Sequence, residues 1–182
     1  MKLTCVIETR IPDLRDPIIH YAKTVPGVEL TEAPWTGDTS VDIPTLFRRI
    51  ETDGPDGEAI PSAFTNNPDT EILVGSFCPF AGKGMDVFNN LRLIGVIRAG
   101  MENIDIDAAT QRGIAVVNAI GRNADAVSDF TIGMMLAEAR NIARAHHSIV
   151  SGGWQKEFSS SATTPDMRGK TIGLVGFGNI GK

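Results

Sequence analysis

Three glycines close to the end of the chain carry the sharpest chemical signal. In Thr171 to Lys182, TIGLVGFGNIGK, an apolar run enters Gly176, Gly178 and Gly181 at G-x-G-x-x-G spacing. Each position answers a physical need of a bound diphosphate. The first glycine allows a tight turn, the second lets backbone approach the anion with no side chain in the way, and the third lets a helix pack close to its strand. Backbone N–H groups at that helix N-terminus then hold the charge. The acidic residue that would grip a ribose about twenty positions later lies past Lys182, so NAD and NADP are not distinguished. The same residues also satisfy G-x-x-x-x-G-K, the phosphate loop of nucleotide triphosphatases, with Lys182 as its lysine. Both readings stand on the motif alone, although a glycine at its third position, Gly178, is demanded by the first and only tolerated by the second.

Other reactive side chains are few. His20 lies in an amphipathic stretch without catalytic context, and His146 and His147 sit on a charged helical end that reads as solvated surface. Cys5 falls in an apolar run and Cys78 in a loop, which suits two free thiols in a reducing, cytoplasmic setting. No ligands show metal-type spacing. A net charge of −5 leaves no basic stripe for nucleic acid. No apolar run reaches the ~20 residues that span a bilayer, and the N-terminus has no secretory pattern. A small polar or anionic metabolite is the partner these features permit.

The elements around these residues are predicted from periodicity. KLTCVIE, VEL, EILVG, LRLIGVI, IAVVN and TIGLVG read as strands, most of them too continuously apolar to keep one face wet. Helical spacing spans Pro12 to Val25 and Ile43 to Glu51, and Asp105 caps a helix running to Gln111 that Gly113 ends. The alternation predicts an α/β layer with a parallel sheet. Pro55 to Asp69 breaks every period and reads as loop, irregular structure or a solvated insertion. From Asn123 to about Ser151 a single helix of ~40 Å is expected. Val127, Phe130, Ile132, Met134, Met135 and Leu136 cannot share one face of it, so its first half has to be covered from two directions.

From Leu91 onward the chain resembles the D-2-hydroxyacid dehydrogenase family. The resemblance rests on LRLIGVIRAG, ENIDIDAATQRGIAVVN, NADAVSDFTIGMMLAEARNI, SGGW and MRGKTIGLVGFGNIG, in the family's order and spacing. It implies a flavodoxin-like substrate domain over 1–120, an interdomain and dimerisation helix over 121–152, and the start of a truncated Rossmann NAD(P)-binding domain over 165–182. It also implies hydride transfer between a nicotinamide and C2 of a 2-hydroxy or 2-oxo acid, in a homodimer. The family's catalytic arginine, acid and histidine have no matching position here, so the chain alone is expected to be inactive, with its last strand lacking a sheet to join. Gly75 and Ser76 lie in a loop resembling the one whose N–H groups bind the substrate carboxylate. Gly75 stands where phosphoglycerate-specific members can carry an arginine. Arg98, Gly100 and Met101 resemble a second substrate loop, shorter by two residues, in which Arg98 serves equally well as a structural ion pair. Asn123 resembles a substrate-contacting asparagine and is also a natural N-cap. Gly176, Gly178, Asn179, Ile180 and Gly181 correspond to the pyrophosphate loop. The family also includes corepressors that bind NAD as a sensing ligand, which keeps a binding protein as the alternative.

Overall fold

The structure, a computed structural model, describes residues 1–10, 16–158, 160–163 and 166–182. It divides into two compact units, Met1–Ile120 and Gly121–Lys182.

In the first unit, β1 (Lys2–Glu8), α1 (Asp16–Thr24), β2 (Glu29–Trp35), α2 (Ile43–Asp53), α3 (Ser62–Thr65), β3 (Ile72–Gly75), α4 (Gly82–Met85), β4 (Leu93–Val96), α5 (Ile106–Gln111) and β5 (Ala115–Asn118) follow one another. All strand pairs are parallel, in the order β2-β1-β3-β4-β5. This is the flavodoxin-like winding. The apolar run of β1 has its reason in that order, because β1 pairs on both edges and buries Thr4, Cys5, Val6 and Ile7 on both faces. The one hydroxyl among them is satisfied, with Thr4 Oγ1 at 2.7 Å from Thr70 Oγ1. The strand predicted from VEL continues to Trp35. The predicted helix from Pro12 begins among residues outside those described and is seen from Asp16.

Capping sets the helix ends. The Asp42 carboxylate accepts the Thr45 N–H at 2.9 Å and Gly54, at φ +78°, closes α2. Leu46 and Ile50, one turn apart, are fully buried beneath it. Asp105 caps α5 through the Ala108 N–H at 2.8 Å, and Gly113 follows at φ +67°. The 55–69 segment differs from a solvated insertion: Pro55–Gly57 forms a 3-10 turn, α3 follows, and Phe64 is fully buried against Phe80 and Phe88. Its Pro and Asn content masked one aromatic anchor.

In the second unit the expected single helix is two, α6 (Ala124–Ala139) and α7 (Ile142–Val150). Asn141 separates them in the left-handed region at φ 57°, a conformation that asparagine tolerates better than most residues. Its side-chain oxygen accepts from Arg144 Nη1 at 3.0 Å and from Ser160 at 2.8 Å, which holds the break. No residue of α6 is buried in this chain, and Phe130, Ile132, Met134 and Leu136 are exposed. Residues 171–176, predicted as a strand, form no strand among the described residues. A parallel strand exists only through its ladder, and Ile172, Leu174 and Val175 stand exposed without one.

Candidate active-site loop at the sheet switch point

The winding order reverses between β1 and β3, and in open α/β sheets ligands bind beyond the carboxyl ends of strands at such a switch. Two features meet there. β1 ends at Glu8, and β3 ends at Gly75, where Ser76, Phe77 and Cys78 turn away from the sheet. The N–H groups of Phe77 and Cys78 both donate to Glu8 Oε1, the latter at 2.8 Å. The loop therefore holds one carboxylate, that of Glu8, through donors formed from backbone.

Three side chains fix its shape. Asn103, fully buried, donates from Nδ2 to Ser76 O at 3.0 Å and Cys78 O at 2.9 Å, so the loop carbonyls turn to Asn103. The Phe77 ring stacks on Phe47 with centroids 3.6 Å apart, and the Arg98 guanidinium lies 3.7 Å from the same ring centre. Arg98 also reaches Glu51 at 2.5 Å and Glu102 at 3.6 Å. Its side chain is only 11% exposed, yet Nη1 is buried with no hydrogen-bond partner, as are Ser76 Oγ and Asn103 Oδ1. Buried polar atoms are seldom left unpaired, and here three cluster in the side chains that form and brace one loop.

Electrostatics agree with the geometry. Burial raises the Glu8 pKa, against the pull of the Phe77, Cys78 and Ser76 N–H groups and of Arg98. Burial, reinforced by Glu8, pushes the Cys78 thiol well above its ordinary value, so it is an inert packing group.

Gly75 and Ser76 thus stand at the end of β3, and Arg98 reaches the same loop through the ring of Phe77. A Cβ on Gly75 would lie 3.1 Å from the Phe80 ring, so this position faces the core and offers an arginine no path to a ligand. Gly100 and Met101 belong to the loop after β4, which Asn118 Nδ2 ties down through Ala99 O at 2.6 Å, and Met101 is 38% exposed. Arg98 fills its ion-pair role and its ring contact at once. Glu8 is not marked by the sequence reading, and Asn103 is placed by it in the loop after β4 without the clamping role seen here. The signal for Glu8 was available, since it is the charged residue that ends a strand buried on both faces.

In the second unit, Asn123 precedes α6 without a side-chain capping bond. In the glycine loop, the backbone itself calls for glycine at the first and last of the three positions. Gly176 has φ +95°, nothing lies within 4 Å of a Cβ placed on Gly178, and a Cβ on Gly181 would sit 2.5 Å from Gly176 O. The first glycine turns, the second leaves backbone open beside Asn179 and Ile180, and the third is sterically compulsory. These residues fit a pyrophosphate. Among the described residues no group of His, Cys, Asp and Glu could hold a metal ion, and no helix is long and apolar enough to cross a membrane.

Comparison with known proteins converges on one family. Residues 67–175 match the profile of the D-isomer specific 2-hydroxyacid dehydrogenase catalytic domain. Glyoxylate reductase of Thermofilum pendens is 45% identical over 98 residues, 53% of this chain and 29% of that protein. D-3-phosphoglycerate dehydrogenase of Archaeoglobus fulgidus is 45% identical over 110 residues, covering 60% and 20%. Among solved structures, a glyoxylate reductase from Paecilomyes thermophila superposes with a TM-score of 0.66 at 24% identity, over 99% of this chain and 50% of that one. D-lactate dehydrogenase from Aquifex aeolicus, complexed with NAD and lactic acid, gives 0.66 at 16% identity, covering 100% and 46%. The structural likeness establishes a shared fold, and the chain spans half or less of each of these proteins. With more than half of its length matched by the profile, the chain belongs to the D-isomer specific 2-hydroxyacid dehydrogenase family.

Proposed function

We propose that this chain supplies the carboxylate-gripping wall and the opening of the cofactor site of an NAD(P)-dependent dehydrogenase acting on D-2-hydroxy acids. The observation that carries the reading is the loop after β3, whose Phe77 and Cys78 N–H groups already hold a carboxylate oxygen. A substrate carboxylate placed there is oriented by two fixed donors. Asn103 and the Phe47–Phe77–Arg98 stack keep them from turning away, so the donors themselves hold their orientation when the carboxylate they serve is exchanged. Gly176, Gly178, Asn179, Ile180 and Gly181 would hold the pyrophosphate of the nicotinamide dinucleotide, which supplies hydride chemistry when bound. Gly178 favours this over a triphosphatase loop, because it leaves bare backbone beside the anion at a position where G-x-x-x-x-G-K needs no glycine, whereas Gly176 and Gly181 serve both motifs. No residue of this chain stands as proton carrier or carboxylate-binding arginine in the pattern of the family, and the chain alone is expected to be inactive. The exposed apolar side of α6 supports a homodimer through that helix, and two free thiols suit a cytoplasmic protein.

The test is a chimera in which this chain replaces the matching region of the Thermofilum pendens relative. Oxidation of NADH or NADPH by glyoxylate or hydroxypyruvate in the chimera, with none by the chain alone, is the expected result. A folded, dimeric chimera without turnover on either acid rejects the reading.

A further inference from the structure

We propose that Glu8 is a built-in competitor for the substrate carboxylate, seated on the loop donors that an incoming 2-hydroxy or 2-oxo acid needs. This rests on reading the loop after β3 as the carboxylate-binding loop.

Glu8 ends β1 on the side of the switch point where ligands enter. One of its oxygens takes both the Phe77 and the Cys78 N–H, so an external carboxylate finds neither donor open. Two ionised carboxylates cannot share these donors without strong like-charge repulsion in a partly buried place. Binding therefore requires Glu8 to swing out or to yield the donors in part.

The surroundings are built for an anion rather than for Glu8 in particular. Arg98 is the cation nearest in effect, and it spends its pairing on Glu51 and Glu102, on other elements, rather than on Glu8. Its buried Nη1 has no partner and lies on the guanidinium stacked over Phe77, the residue whose N–H Glu8 occupies. Ser76 Oγ, one residue before those donors, is likewise buried and unpaired. A small acid carrying a second oxygen function beside its carboxylate, such as a 2-oxo acid or oxalate, offers acceptors to these groups that the Glu8 side chain leaves unused. Glu8 thus sets a threshold for binding: it holds the loop in its receptive shape and selects acids able to make contacts beyond the carboxylate.

Oxalate is the probe, with affinity measured by calorimetry and the site reported by the backbone amide resonances of Phe77 and Cys78. A hydrogen-bonded charge has to be displaced in the wild-type chain. Removing it by Glu8→Ala should therefore tighten oxalate binding about tenfold or more, with both amides shifting on addition. Glu8→Gln keeps shape and acceptor but not charge, and should gain a smaller factor of a few. It decides the matter if the alanine variant does not fold. Equal affinity in wild type and variants, with the Phe77 and Cys78 amides still shifting, overturns the competitor role while leaving the loop reading intact. Oxalate that moves neither amide in any variant overturns the loop reading and the competitor with it.

Discussion

Asn103 offers the most direct test of how the candidate site is held. Asn103→Ala removes a fully buried amide whose Nδ2 serves two loop carbonyls, at 3.0 and 2.9 Å. A buried acceptor stripped of its donor costs about 1–3 kcal/mol, so two cost roughly 2–6. The same substitution deletes Asn103 Oδ1, itself buried and unpaired, which returns a penalty of about 1–3 kcal/mol. The balance is a loss of about 2 kcal/mol, a large part of the ~5–15 kcal/mol that stabilises a typical domain. Urea unfolding followed by fluorescence should show a midpoint lowered by about 1–2 M with an unchanged slope, given slopes of roughly 1–3 kcal/mol per molar. Hydrogen exchange at Phe77 and Cys78 should accelerate more than at the β1 amides. A loss under about 0.5 kcal/mol, the scale of ordinary surface changes, would refute the claim that Asn103 clamps the loop.

Three further outcomes are expected. Leu46→Ala opens a cavity under α2 at a fully buried site and should cost about 2–5 kcal/mol in urea unfolding. At position 141, glycine should be more stable than alanine, because φ is +57° and a left-handed conformation costs an L side chain about 1–2 kcal/mol; the ordinary helical order, with alanine ahead, would mean that α6 and α7 are continuous. The Asp38 carboxyl is held at about 2, below its usual 3.8, by the Ser40 hydroxyl, the Ser40 N–H and Arg49. A depressed folded pKa gives stability that is full above the ordinary value and lost as pH falls through about 2. Acid unfolding between these values should accordingly be shallower in Asp38→Asn than in the parent chain.

The parallel sheet was legible because β1, β3 and β4 carry apolar residues on both faces, a pattern that only burial from two sides explains. Asp105 and Gly113 marked α5 because capping is local chemistry that needs no tertiary partner. Asn141 escaped notice since helical spacing runs on through it, and a single left-handed residue leaves no trace in periodicity. TIGLVG has the composition of a strand, but pairing is a property of two segments and cannot be read from one. At the site, Gly75, Ser76 and Arg98 were legible as loop and strand ends. The role of Glu8 was not, because it depends on β1 and β3 becoming neighbours across 69 and 70 residues of chain.

That last separation has a consequence for how the molecule is made. Of the five strands of this sheet the earliest in sequence ends up inside it, gripped by β2 on one edge and β3 on the other. Until Ile72–Gly75 has been synthesised, β1 has an open edge rich in Cys5, Val6 and Ile7, the kind of surface that nascent chains hide or lose to aggregation. The Phe77 and Cys78 N–H groups reach Glu8 only once β1 and β3 are both made, and the Asn103 side chain that holds the loop carbonyls is made later still, so the loop cannot take its full shape until β4 has followed β3 out of the ribosome.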